Sequence, residues 1–228
     1  MESSTAIIVS RTGRPVQRIV LRLADTFTFR AGQYLEVVHP DGAIPLSIAS
    51  APHRLPELHL HYLSMPDTPE AARMDALLDA SDELEIRGPA GTVALPRSLP
   101  AAALIAAGGT GVAQAMSFID GYLERDPGAP LWLLWCADLE SDFYLRQELE
   151  ALEAPWLQTN LIADAARSST NRGLRWLREH AGGFRHHDSR IVLAGSPGFV
   201  YAAQDALLEA GIAPRQMQSD VFSYAPRR

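Results

Sequence analysis

Two hydrophobic rhythms divide the chain near Arg97. Before it, short runs alternate between apolar and polar side chains and are broken every roughly eight to twelve residues by Gly, Pro, Asp or similar turn formers, the pattern of antiparallel β-structure. Val16 to Leu23 sets Gln17, Ile19, Leu21 and Leu23 against Val16, Arg18, Val20 and Arg22, and the two arginines mark the second side as partly solvated. Glu57 to Tyr62 alternates more cleanly, with Leu58, Leu60 and Tyr62 facing in and Glu57, His59 and His61 facing out. In this half only Pro69 to Ala80 has helical spacing, carried by Met74, Leu77 and Leu78. Closing a short antiparallel sheet removes its sticky edges, so the expected solution is a small β-barrel with one capping helix.

After Pro100 the rhythm changes to strand, helix, strand, helix, which predicts an α/β domain with a parallel sheet. The centre of this half is Ala101 to Leu123. Leu104 to Ala107 are apolar without alternation, as in a strand covered on both faces, and Val112, Met116, Ile119 and Leu123 then mark one face of a helix. Leu131 to Cys136 and Ile191 to Gly195 read as further buried strands, and Leu157 to Ala163 as a more mixed one. Helices are expected over Asp142 to Leu152 with Ser141 as N-cap, over Thr170 to Ala181, and along the stripe Phe199, Ala203, Leu207 and Ala210, ended by Gly211. The expected domains are 1–98 and 99–228.

Composition narrows the function classes. With 228 residues, 47% hydrophobic and 21% charged, the chain has ample material for two packed cores. A formal charge of −7 argues against nucleic acid or an anionic membrane as the main partner. Cys136 is the only cysteine, so an internal disulfide, a zinc cluster and a cysteine-ligated iron–sulfur centre are excluded; it reads as a small buried strand residue rather than a nucleophile. A reducing compartment fits, and with no basic leader and no apolar run of ~18 residues the chain reads as cytoplasmic. His59 and His61 invite a metal reading but lack a third ligand, and His186 and His187 stand in a polar loop; all four read as solvated, and no metal site is expected.

Between the central strand and helix, Gly108, Gly109 and Gly111 lack the Cβ atoms that would keep a ligand from the backbone, and the new helix offers free N–H groups at its positive end. The loop is suited to receive a cofactor; a plain strand-to-helix turn is the alternative. No Gly-Lys-Ser/Thr follows, so it is not a phosphate-cradling P-loop, and Gln114 stands where the common dinucleotide fingerprint has a third glycine.

Three segments precede this turn in a telling order: Phe29 to Leu35 (FRAGQYL), Ile44 to Ser50 (IPLSIAS) and Gly88 to Gly91 (GPAG). Together with GGTG they make the sequence similar to the ferredoxin-NADP reductase superfamily, and within it to the NAD(P)H-flavin oxidoreductases, over nearly the whole chain. The resemblance implies that an Arg-Pro-Phe/Tyr-Ser segment lines the isoalloxazine. Pro45 and Ser47 match its Pro and Ser, the Ser47 hydroxyl then lies beside flavin N5, and the backbone from Leu46 through Ile48 to Ala49 holds the polar edge of the ring. Gly108, Gly109, Thr110 and Gly111 would take nicotinamide and pyrophosphate, and Ser196, Pro197 and Gly198 would lie at the carboxyl edge of the sheet. Met217 to Tyr224 resembles the family's closing strand, whose terminal aromatic approaches the flavin or nicotinamide, which makes Phe222 and Tyr224 candidates beside a plain packing role.

Two departures matter. Ile44 stands where the family has arginine and Leu46 where it has an aromatic; a missing charge-assisted hydrogen bond of roughly 1.5–3 kcal/mol weakens flavin binding about tenfold to a hundredfold, so FMN, FAD or riboflavin is expected to be held loosely. After its second parallel strand the chain reads Cys136, Ala137, Asp138 where the family often has Gly-Gly-Arg, and an acidic Asp138 near the adenosine ribose favours NADH over NADPH. The expected function is NADH-dependent flavin reduction by direct hydride transfer from nicotinamide C4 to flavin N5, with a flavin-dependent oxygenase or another electron acceptor downstream. The alternatives are a flavin-bound electron-transfer subunit serving a protein partner, and a non-catalytic binding or regulatory protein with an eroded flavin site.

Overall fold

The computed structural model describes residues 2–65, 68–125 and 129–227, in two compact units. One contains the chain up to Leu95 together with Met116–Glu124; the other contains Pro96–Ala115 and the chain from Arg125 onward.

The first unit is built on a six-stranded antiparallel sheet: β1 (Glu2–Thr12), β2 (Val16–Leu23), β3 (Tyr34–His39), β4 (Gly42–Ser47), β5 (Glu57–Leu63) and β6 (Glu83–Ala90), in the spatial order β4-β3-β6-β1-β2-β5. Its two ends meet. Ile48, just past β4, bridges Leu60 of β5, and the Ala49 N–H donates to the His59 carbonyl at 2.7 Å, so the sheet closes into a barrel. Alternation fills the inside as expected: Ile19, Leu21, Leu35, Val37, Ile48, Leu58, Leu60 and Ile86 have no exposed surface. The expected helix, α1 (Pro69–Ala80), starts where Thr68 accepts from the Ala71 N–H, and it turns Met74 and Leu78 into the same core. A polar network fastens it. Buried Gln17 accepts from Arg11 at 3.2 Å and donates to Asp75 of α1, which also accepts from the Ser64 hydroxyl, while the Tyr62 hydroxyl donates to the Ala71 carbonyl.

His59 and His61 lie on the outer side of β5, but they are less solvated than the alternation suggested. Burial, followed by the charge of Arg18, pushes His61 down to about 3, and burial also lowers His59. Both rings are neutral near pH 7.

The second unit holds a parallel sheet of β7 (Ala103–Gly108), β8 (Leu131–Ala137), β9 (Leu157–Ala163), β10 (Arg190–Ala194) and β11 (Met217–Gln218), ordered β11-β10-β7-β8-β9. The helices are α2 (Val112–Leu123), α3 (Arg146–Glu150), α4 (Arg172–His180), α5 (Pro197–Glu209) and α6 (Val221–Tyr224); only the first turn of α2 counts with this unit. Leu104, Ala106, Leu134, Ile191 and Leu193 pack with Leu174, Leu177, Val200, Ala203 and Leu207 of α4 and α5.

Two elements differ from expectation. Ser141 does not cap a long helix: it lies within a single 3₁₀ turn, Phe143 takes a non-helical ψ of 66°, and α3 is only five residues long. The cause is tertiary, since Phe143 is drawn into an edge-on contact with Trp135 at 5.0 Å. The closing segment is a strand for two residues only, after which the Ser219 hydroxyl accepts from the Val221 N–H and the chain turns into α6. Among the described residues no helix is long and apolar enough to cross a membrane.

Candidate nucleotide and flavin sites

In the α/β unit the residues singled out from the sequence fall along one edge of the sheet. Ser196, Pro197 and Gly198 follow β10, Gly108 to Gly111 end and follow β7, and Asp138 follows β8; these three strands are consecutive neighbours. The ends of β7 and β10 are locked backbone to backbone. A Cβ on Gly111 would stand 2.5 Å from the Ala194 carbonyl oxygen, and Gly195, at φ +136°, would place one 2.8 Å from the Gly108 oxygen. Gly109 and Gly198 differ: an added Cβ at either meets nothing within 4 Å. The edge is therefore rigid beneath and open above.

The polar groups there are held in place. The Trp135 indole N–H donates to the Gly109 carbonyl at 2.9 Å, and Ser196 caps α5 by accepting from the Phe199 N–H, with Pro197 in the first turn. Helices α2 and α5, of 12 and 13 residues, thus point the N–H groups of their first turns toward the same edge. Gln114, noted only as a departure from a glycine pattern, is buried and donates to the Asp220 carboxylate at 3.1 Å, tying the start of α2 to the chain's last segment.

Asp138 has a partner that the sequence did not reveal. Arg167, in the loop after β9, donates to both of its carboxylate oxygens at 2.7 and 2.6 Å. This contact holds the Asp138 carboxyl below the usual range and raises Arg167. Asn171 shapes the loop: it caps α4 and donates to the Asp164 and Ala166 carbonyls. Charge signs alone cannot pair residues 29 positions apart, so no sequence signal pointed to Arg167. Cys136 is half-buried, with its Sγ against Gly173 of α4, and desolvation, followed by the charge of Asp164, pushes its thiol up to about 12, which disfavours the thiolate at neutral pH. Phe222 is half-buried and packs on Tyr201 of α5, with ring centres 5.8 Å apart.

In the barrel unit, β4 alternates. Ile44 is 7% exposed and belongs to the barrel core, Leu46 packs on that core, and Pro45 and Ser47 take the other side. Ile44 therefore does not sit on the outer face as a truncated arginine; it is an interior residue opposite Val37. Ile48 and Ala49 are also buried, and their N–H groups already donate to the Gln33 and His59 carbonyls, so neither offers a ligand a side chain or a free N–H.

The residues 104–205 match the model of the oxidoreductase NAD-binding domain family, the part of the chain that carries both glycine loops. Over 218 residues, 91% of this chain and 93% of the relative, it is 25% identical to a probable flavin reductase of Vibrio harveyi. It is also 29% identical, over 92% of its length, to reductase component 1 of a terephthalate 1,2-dioxygenase from Comamonas sp. It spans 64% of the length of that relative. A ferredoxin NADP+ reductase from Neisseria gonorrhoeae, solved with FAD and NADP bound, has the same fold, with a TM-score of 0.76 at 17% identity over 96% of this chain and 98% of that one.

Proposed function

We propose that this protein is an NADH-dependent oxidoreductase that reduces a flavin, and that the flavin exchanges rather than stays. The observation that carries the reading is the sheet edge of the α/β unit, where Gly111 and Gly195 lock the backbone while Gly109 and Gly198 leave it open beneath two helix N-termini. A pyrophosphate fits such a place, because the backbone N–H groups are already oriented and no Cβ blocks the approach. When bound, the nicotinamide supplies a hydride and the flavin accepts it. The chain's own work is binding and alignment: Gly108 to Gly111 and Ser196 to Gly198 hold the dinucleotide, and Pro45 to Ala49 receive the flavin, with the Ser47 hydroxyl turned away from the barrel core.

The preference for NADH rests on Asp138, which accepts from ribose hydroxyls, whereas a 2′-phosphate must first draw Arg167 away from it. Loose flavin binding follows from β4, whose inward Ile44 and Leu46 place neither a cation nor an aromatic ring on the outer side.

A second reading has support in the relatives named as dioxygenase reductase components: a retained flavin passing electrons to a protein acceptor. The deciding experiment is a visible spectrum of the purified protein, then NADH oxidation with and without added riboflavin, FMN or FAD. A colourless protein active only with added flavin supports the first reading; stoichiometric flavin surviving gel filtration supports the second. In the active enzyme Ser47→Ala is expected to lower kcat and kcat/KM together, and unchanged constants would remove Ser47 from the site.

A further inference from the structure

The segment that leaves β4 is pinned at several backbone groups. The Ile48 N–H donates to the Gln33 carbonyl at 3.1 Å, the Ala49 N–H to the His59 carbonyl, and the Ser50 hydroxyl accepts from the His59 N–H at 3.1 Å. The other anchors come from α2. Ser117 accepts from the Gly32 N–H at 3.0 Å and donates to the Ser50 carbonyl at 2.7 Å. One turn later, Asp120 accepts from the Ala51 N–H at 2.9 Å and from Arg54, whose Nη2 lies 2.7 Å from Oδ1 and whose Nε lies 3.1 and 3.2 Å from the two oxygens. His53 adds a ring nitrogen 3.5 Å from Asp120 and 3.7 Å from Glu124.

Ser117 has no exposed surface and Asp120 is 8% exposed, so water cannot take over these contacts if they are lost. Burial pushes the Asp120 carboxyl up, but hydrogen bonds from Arg54 and the Ala51 N–H, with the charges of Arg54 and His53, outweigh it and keep the group ionised. Replacing a buried ion pair by apolar side chains is often neutral or stabilising, so what distinguishes this clamp is what it joins. It binds two loops at once, the FRAGQ turn at Gly32 and the exit from β4 at Ser50 to Arg54.

We propose that Ser117 and Asp120 are positioning residues for the flavin: their hydrogen bonds fix the backbone after Ser47, and with it the direction of the Ser47 hydroxyl. The inference rests on the flavin-reducing reading and deepens it. Neither residue touches the flavin. Each acts through Ser50 or Ala51, so losing either loosens a surface that must be rigid to hold a planar ring.

The test compares wild type with Ser117→Ala, Asp120→Asn, Arg54→Met and Arg54→Lys. It measures FMN affinity by flavin fluorescence quenching, KM for flavin and for NADH, and Tm. Ser117→Ala, Asp120→Asn and Arg54→Met are each expected to weaken FMN binding by about 5- to 30-fold, the loss of one or two buried hydrogen bonds. KM for NADH should stay within about twofold, and Arg54→Lys should recover most of the FMN affinity because the Asp120 carboxylate keeps a cation. FMN affinity that is unchanged in folded variants, or KM values for flavin and NADH that rise in proportion, would overturn the proposal. If Asp120→Asn does not fold, Ser117→Ala decides, since it leaves no buried charge. A wild type that neither quenches FMN nor oxidises NADH with added flavin overturns the flavin reading and the proposal with it; a wild type that does, beside unaffected variants, overturns the proposal alone.

Discussion

Replacing Ile44 by arginine separates two accounts of β4. If position 44 faced the flavin, Ile44→Arg would restore a charge-assisted contact and tighten FMN. The structure sets the opposite expectation. Ile44 is 7% exposed and lies in the barrel core, opposite Val37. Removing it forfeits about 1.5–3 kcal/mol of apolar burial. A guanidinium left among those side chains adds a penalty of several kcal/mol, eased to the extent that the long side chain reaches out past the exposed hairpin at Gly42. The sum, roughly 4–6 kcal/mol, is a large part of the ~5–15 kcal/mol that holds an ordinary domain folded. The assay is urea unfolding followed by far-UV circular dichroism, since all four tryptophans (Trp132, Trp135, Trp156 and Trp176) belong to the second unit and would miss the barrel. Ile44→Val is the control, with an expected cost of about 0.5–1.5 kcal/mol. An unchanged midpoint with tighter FMN binding in Ile44→Arg would refute the inward placement and make the position an eroded flavin contact.

Three further outcomes are expected. Gly198→Ala meets nothing within 4 Å, so Tm should hold while KM for NADH rises severalfold; unchanged KM would move the dinucleotide away from the α5 N-terminus. Asp138→Ala should lower KM for NADPH by about three- to tenfold, by freeing Arg167 as well as removing a like charge, and the double variant with Arg167→Ala should lose that gain. His61 has its folded pKa depressed to about 3 against an ordinary 6.5, so the unfolded chain binds the extra proton between those values; stability should fall as pH drops from about 6.5 toward 3, and His61→Asn should flatten that slope in acid unfolding.

The sequence was most informative where one periodicity met one environment. Val16–Leu23 and Glu57–Leu63 alternate because one side fills the barrel, and Pro69–Ala80 begins at a capping threonine and a proline, so each could be read within a residue of its bounds. The glycine loops were visible as composition, but which glycines are locked and which are open depends on the approach of β10 to β7, a contact between residues some 85 positions apart. The same limit hid Arg167 behind Asp138 and the Asp120 clamp behind an ordinary helix stripe. Phe143 and the Met217–Tyr224 segment were misread for a related reason: in both, a ring or a side-chain hydrogen bond supplied by the fold overrides the local preference. Ile44 is the instructive case, because matching it to a motif gave its place in the strand, while the two-residue period of that strand decides where its side chain points.

The interlocked ends of β7 and β10 also bear on how this protein can be re-engineered. A library meant to change cofactor use gains nothing by varying Gly111 or Gly195, since any side chain there must first push apart two backbones already in contact. Productive diversity lies at Gly198, which has room, and in the loop 165–170, whose shape Asn171 maintains by donating to the Asp164 and Ala166 carbonyls. The fold thus separates the residues that keep the edge in one piece from those that can be changed to select what binds on it.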